Sequence, residues 1–139
     1  MAKQVVESNE QQTKTDTETE TIPREQWITF LENFTRENRG AHARLEVIGT
    51  GLGYQVETEN KPLQGVSTDV THGEYNVWIT FASTPSEHIT HSVPNATVIR
   101  TIPPKGSSGA VLNIEARDGS RTLLELSMPG EFELPPPEQ

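Results

Sequence analysis

The sequence predicts an α+β fold: one N-terminal helix packed on a strongly bent antiparallel sheet or small β-barrel of six to seven short strands. Three observations predict it. One stretch near the N-terminus repeats its apolar residues with helical spacing. Every periodic segment after residue 41 alternates with a period of two. Short turns join these segments, and such turns admit antiparallel neighbours but not crossover helices.

The helical stretch is "TIPREQWITFLENFTRENRG", where Trp27, Phe30, Leu31 and Phe34 fall at i, i+3, i+4 and i+7. Pro23 suits a first turn, where its missing N–H would be unpaired anyway, and Glu25 favours the positive end of the helix dipole. Arg36 and Arg39 suit the opposite end, and Gly40 supplies the left-handed stop. These signals predict a helix over 23–38. Burying each large side chain of its stripe is worth about 1.5–3 kcal/mol, so the remaining chain must cover it.

The strands follow in order. "HARLEVIG" places Ala43, Leu45 and Val47 on one face, and "LGYQVET" is expected to do the same with Leu52, Tyr54 and Val56 after a Gly-Thr-Gly turn. "YNVWITF" alternates Tyr75, Val77, Ile79 and Phe81 against Asn76, Trp78 and Thr80. "ATVIRTI" reads as a further strand before the loop "PPKGSSG". "VLNIEA" turns Leu112, Ile114 and Ala116 inward, and "RTLLELSM" offers Thr122, Leu124, Leu126 and Met128. The Asp118-Gly119 pair between the last two is a strong hairpin signal.

Composition divides the 139 residues into a single domain over 21–128 and two tails. Residues 1–20 are polar, with too few apolar groups to offset the ordering cost of about 1–2 kcal/mol per residue, and are expected to be disordered. Residues 129–139 form a Pro-rich acidic C-terminal tail. The net charge of −9 sits mostly on these ends: residues 1–20 hold two lysines against five acids, and 129–139 hold three acids and no base. The central segment is left near neutral, without the basic footprint that nucleic-acid binding requires. No run of about 18 apolar residues points to a membrane span, and the N-terminus lacks a secretory apolar stretch, so a cytoplasmic protein is expected. With no cysteine, thiolate chemistry and Cys-ligated metals are excluded. No cofactor is implied.

"SEHITHSVP" sets His88 and His91 three positions apart, beside Glu87. On a strand these imidazoles point to opposite faces, and Pro85 and Pro94 leave little room for a helix, so no metal site is assigned. Structural or hydrogen-bonded histidines are the preferred reading. "GTGLG" is followed by a strand where a dinucleotide fingerprint needs a helix. Ser67, Asp69 and His72 lack a nucleophile elbow, and Glu57 and Glu59 read as a solvated strand face. Trp78 should point away from the inward face of its strand. It is expected either under the helix stripe, the preferred reading, or flooring an exposed apolar patch used for binding.

The segments "IPREQW", "LEVIGTGLGYQVETENKPLQGVSTDV", "EHITHSVPNATVIR" and "LNIEARDGSRTLLEL" are similar to the bacterial proteins grouped as the domain of unknown function 5335 family. The resemblance covers roughly residues 22–127. It implies a short bacterial stand-alone domain and carries no catalytic residues onto these positions. "KPLQGVSTD" also resembles the layout of Sm-like small barrels, as fold analogy alone. The function expected is that of a non-enzymatic binding or adaptor protein. Its partner would be a protein or peptide, engaged through an exposed strand edge or through Trp78, Glu87, His88 and His91. The alternative is a small-molecule or metal-binding protein using His72, Glu87, His88 and His91, which requires those side chains to converge in one cleft.

Overall fold

The computed structural model describes residues 19–49, 53–84, 86–106 and 108–127. They form β1 (Glu20–Thr21), α1 (Trp27–Asn38), β2 (His42–Gly49), β3 (Gly53–Thr71), β4 (Glu74–Thr84), β5 (Glu87–Val93), β6 (Ala96–Ile102), β7 (Ser108–Ala116) and β8 (Arg121–Ser127). Every pairing is antiparallel, in one sheet ordered β1-β6-β7-β8-β2-β3-β4-β5. The α+β class and the N-terminal helix agree with expectation, but the described residues hold eight strands instead of six or seven. β1 is two residues long, too short for any periodic signal. β5 alternates without an apolar run. The expected tails lie outside the described residues, apart from Thr19 and Glu20, as do Leu52 and Met128.

The barrel alternative, and with it the Sm-like analogy, is corrected. Closure requires the end strands to pair, and β1 and β5 pair only with β6 and β4. The sheet is strongly bent all the same. β3 pairs with β2 over Gly53–Pro62 and with β4 over Leu63–Thr71, so one strand serves two neighbours on either side of a bend. Pro94 and Asn95 (φ 53°) carry the chain from β5 at one end of the sheet directly to β6 near the other. The sheet therefore curls back on itself. The Asn95 N–H donates to Asn76 Oδ1 at 3.2 Å, and Arg117, in the β7–β8 turn, pairs with Glu74 on β4. Asp118 and Gly119 (φ 91°) lie in that turn, as the sequence predicts.

The helix covers its stripe as required. After a 3-10 turn at Arg24–Gln26, Trp27, Leu31 and Phe34 are buried, while Phe30 is only partly covered. They share one core with Leu45, Leu63, Val77, Ile79, Phe81, Ile99, Leu112, Ile114 and Leu124. The indole N–H of Trp27 donates to the Ile22 carbonyl at 2.9 Å, and its ring meets Tyr75 edge-on with centroids 5.1 Å apart. The Arg24 guanidinium stands 5.0 Å from the centroid of Trp27 and 4.8 Å from that of Tyr75. Gly40 (φ 92°) takes the left-handed conformation expected past the helix end.

One inward assignment is overturned. Tyr54 and Val56 are 57% and 40% exposed, while Thr58 is buried. Pairing jumps from Glu46↔Val56 to Leu45↔Thr58 and from Arg44↔Glu59 to Ala43↔Lys61, leaving Glu57 and Asn60 (φ 60°) as extra residues in β3. Neither bulge reaches Tyr54 or Val56: the Gly49↔Gly53 pairing that closes the hairpin sets inward Val47 opposite Gln55, and so puts Tyr54 and Val56 on the other face, while the bulge at Glu57 brings Thr58 inward opposite Leu45. Tyr54 then lies opposite Ile48, and its hydroxyl accepts a hydrogen bond from Arg44 at 3.0 Å.

Beyond the bend, the edge of β3 that faces away from β4 is covered by α1 and the residues after it. Thr35 Oγ1 accepts from the Val66 N–H at 2.9 Å and donates to the Val66 carbonyl at 3.0 Å. The Gly40 N–H donates to the Leu63 carbonyl at 2.9 Å, and the Leu63 N–H to the Ala41 carbonyl at 2.8 Å. A side chain thus fills the place of a missing strand. Thr35→Val keeps the shape but strands both Val66 groups, and should lower the unfolding free energy by about 1–3 kcal/mol in a urea titration. Thr35→Ser should recover most of it.

Candidate binding surface

β5 ends the sheet, and its geometry follows from the turn before β4. His72 and Gly73 both have positive φ (52° and 79°), forming a two-residue hairpin that makes Thr71↔Glu74 a hydrogen-bonded pair. Alternation then directs the backbone groups of Trp78 to β3 and those of Val77, Ile79 and Phe81 to β5. On β5 itself, Ile89, His91 and Val93 bond to β4, while the N–H and C=O groups of His88, Thr90 and Ser92 point off the sheet. The opposite end of the sheet is managed differently: there the Ile22 N–H bonds the Ile99 carbonyl and Arg24 reaches the Thr97 carbonyl.

The candidate side chains fall on two faces. Trp78, Thr80 and Ala82 pair with Ser92, Thr90 and His88, forming the outer face; Ile79 and Phe81 pair with His91 and Ile89 on the inner one. Thr80 and Thr90 hydroxyls meet at 3.1 Å. His88 and His91 are thereby placed on opposite faces, as strand parity predicts. His72 sits in the β3–β4 turn, eight residues along β4 from the position opposite His88, a separation of about 25 Å. Glu87 lies at the start of β5, opposite Thr84. The four residues of the small-molecule alternative do not converge. Among the described residues there is no group of three or more His, Asp or Glu side chains placed to hold a metal ion.

Trp78 is on the face away from α1, so the preferred expectation that the helix stripe covers it is corrected. It is 38% exposed, and its indole N–H donates to Asp69 Oδ2 at 2.9 Å, which leans the ring toward β3 and leaves the Ser92 side open. The other Asp69 oxygen accepts from Asn76 at 3.0 Å. Asp69 therefore positions the tryptophan, a role that the sequence reading, which set aside a hydrolytic triad of Ser67, Asp69 and His72, did not assign to it. The signal was present: a hairpin centred on His72-Gly73 places Asp69 opposite Asn76, diagonal to Trp78. Ile89, 41% exposed, and the edge groups of Thr90 and Ser92 were missed because edge exposure has no signature in side-chain pattern. With one tryptophan buried and one half wet, acrylamide should quench part of the emission. Trp78→Phe should leave a blue-shifted, quencher-resistant signal from Trp27.

His91 borders a cavity of about 290 Å³ shared with Val47, Gly49, Val93, Asp118 and Thr122. Burial pushes its pKa below the ordinary 6.5, and attraction to Glu57 opposes that shift without cancelling it. Hydrogen bonds from Ser120 hold the Asp118 carboxyl below its usual range. For a histidine with a depressed folded-state pKa, both states are neutral well above 6.5, so the group does not perturb stability there. As pH falls through 6.5 the unfolded chain binds the proton first, and stability declines until the folded-state value is passed. Urea midpoints measured down from pH 7.5 should show this decline in the wild type and a shallower one in His91→Gln.

A helix-capped, curled antiparallel sheet whose last strand, β5, pairs among the described residues with β4 alone defines the class of domain. The profile of the family of unknown function DUF5335 matches residues 18–135, and the chain belongs to that family. It is 29% identical over 110 residues to an uncharacterised protein of Aquifex aeolicus (strain VF5), covering 78% of this chain and 91% of that one. No solved structure matches. No helix among the described residues is long and apolar enough to cross a membrane.

Proposed function

We propose that this protein is a non-enzymatic binding or adaptor domain of the cytoplasm, which takes an extended segment of a protein or peptide along the edge of β5. The observation that supports this reading most directly is the contrast between edges. The second half of β3 is covered by Thr35, Gly40 and Ala41, and β6 by Ile22 and Arg24, whereas β5 offers the backbone of His88, Thr90 and Ser92 over seven residues without proline. An uncovered edge of this kind invites strand addition. Main-chain bonds to those three residues would supply affinity, and the side chains around them, Trp78, Glu87, His88, Ile89 and His91, would select the segment.

Selection of a displayed library of short random peptides on the immobilised chain tests this. The wild type should enrich alternating, extended sequences. Thr90→Pro deletes an N–H that β4 does not use, and should weaken the selected peptides at least tenfold, equivalent to about 1.4 kcal/mol. Enrichment that is equal on both proteins would refute an edge mode.

A further inference from the structure

We infer that the occupant of the β5 edge is a second copy of this chain, paired antiparallel about a two-fold axis through Thr90. This rests on the edge reading above and adds the identity of the partner. A two-fold contact brings the same patch from both chains together, so the strand must be complementary to its own reverse. "EHITHSV" is. Centred on Thr90, His88 lies opposite Ser92 of the second copy, Ile89 opposite His91, and Glu87 opposite Val93. No like-charged pair is brought face to face, and the two Glu87 carboxylates end about 20 Å apart.

Backbone chemistry selects the same centre. Thr90 directs its N–H and C=O off the sheet, so the axis passes through a hydrogen-bonded pair, and the flanking His88–Ser92 pairs are also of the bonded kind. Roughly six main-chain bonds result. An axis through Ile89 or His91 would centre on a non-bonded pair, shorten the overlap of the seven-residue strand and leave roughly four main-chain bonds. An axis through His88 would bring the Glu87 carboxylates close together. Ile89, 41% exposed in the single chain, is covered in the Thr90-centred pair by the imidazole opposite. On the outer face the threonine methyls and hydroxyls meet at the axis. Trp78 leans away toward Asp69, so it does not obstruct the approach.

Light scattering on the full chain across a concentration series tests the inference. The mass should rise to twice the 15.4 kDa of one chain, and the amides of His88, Thr90 and Ser92 should exchange more slowly as the dimer fills. Thr90→Pro should return the mass to that of one chain with little change in melting. Thr90→Lys, which sets two ammonium groups against each other at the axis, should do the same if the proline variant folds poorly. A wild type that stays single at every concentration overturns the inference, as does a dimer that persists in both variants. In the first case the wider edge reading survives if selected peptides still bind the wild type and not Thr90→Pro, and it falls too if they do not.

Discussion

Trp27→Ala should be the most damaging single truncation in the helix, lowering the unfolding free energy by about 3–5 kcal/mol. The ring is 1% exposed, it lies against Tyr75, and its N–H serves the Ile22 carbonyl. Truncation loses the apolar contacts, leaves a cavity that the surrounding strands cannot collapse into, and strands a carbonyl at the point where the chain leaves β1. For a domain near 100 residues that loss corresponds to a drop of roughly 15 °C or more in melting temperature. Trp78→Ala is the control. The residue is of the same type but half exposed on the outer face, and its loss should cost about 1 kcal/mol or less. Equal losses in the two variants would mean that the helix does not close the core.

Gly109→Ala should be nearly as costly for a different reason, at about 3 kcal/mol. A Cβ at this position would stand 2.2 Å from the Leu126 carbonyl oxygen and 2.7 Å from the carbonyl carbons of Leu126 and Ser127. These atoms are backbone of the paired strand, and they cannot rotate aside. The register shift between Ser108 and Val111 brings β8 this close, so the glycine allows the approach by lacking a side chain. Gly65→Ala offers the comparison. There the nearest atom is Thr35 Cγ2 at 3.2 Å, the end of a side chain that can yield by a few tenths of an ångström, and the cost should stay near 1 kcal/mol. Urea unfolding of the two variants side by side separates backbone collision from side-chain crowding.

Much of the architecture is legible in local spacing. The stripe Trp27, Leu31 and Phe34 is buried as its period requires, and the alternation of β4, β7 and β8 predicts Val77, Ile79, Phe81, Leu112, Ile114, Leu124 and Leu126 in the core. Asp118-Gly119 marks a real turn. The reading fails at Tyr54 and Val56, because a period-two pattern does not say which parity faces inward, and the hairpin register Gly49↔Gly53 sets them opposite Ile48 and Glu46 instead of Val47 and Leu45. Trp78 illustrates a second limit. Parity says correctly that it faces away from Val77 and Ile79, but whether the helix or solvent lies on that side depends on which face α1 chooses.

The sequence by itself determined a helix with one apolar stripe, a succession of alternating strands, the turn chemistry between several of them, and the absence of any thiolate site. Those properties reside in residues a few positions apart, where spacing and backbone preference act directly. Only the tertiary structure decided the strand order, the two bulges of β3, the cover that Thr35 gives to one edge, and the position of β5 at the end of the sheet, where no described strand pairs with its outer edge. Each of these depends on pairing between residues distant in the chain. A hydrogen-bonding edge is made of backbone groups that every sequence carries alike, and they become available or hidden only when a neighbour is placed beside them.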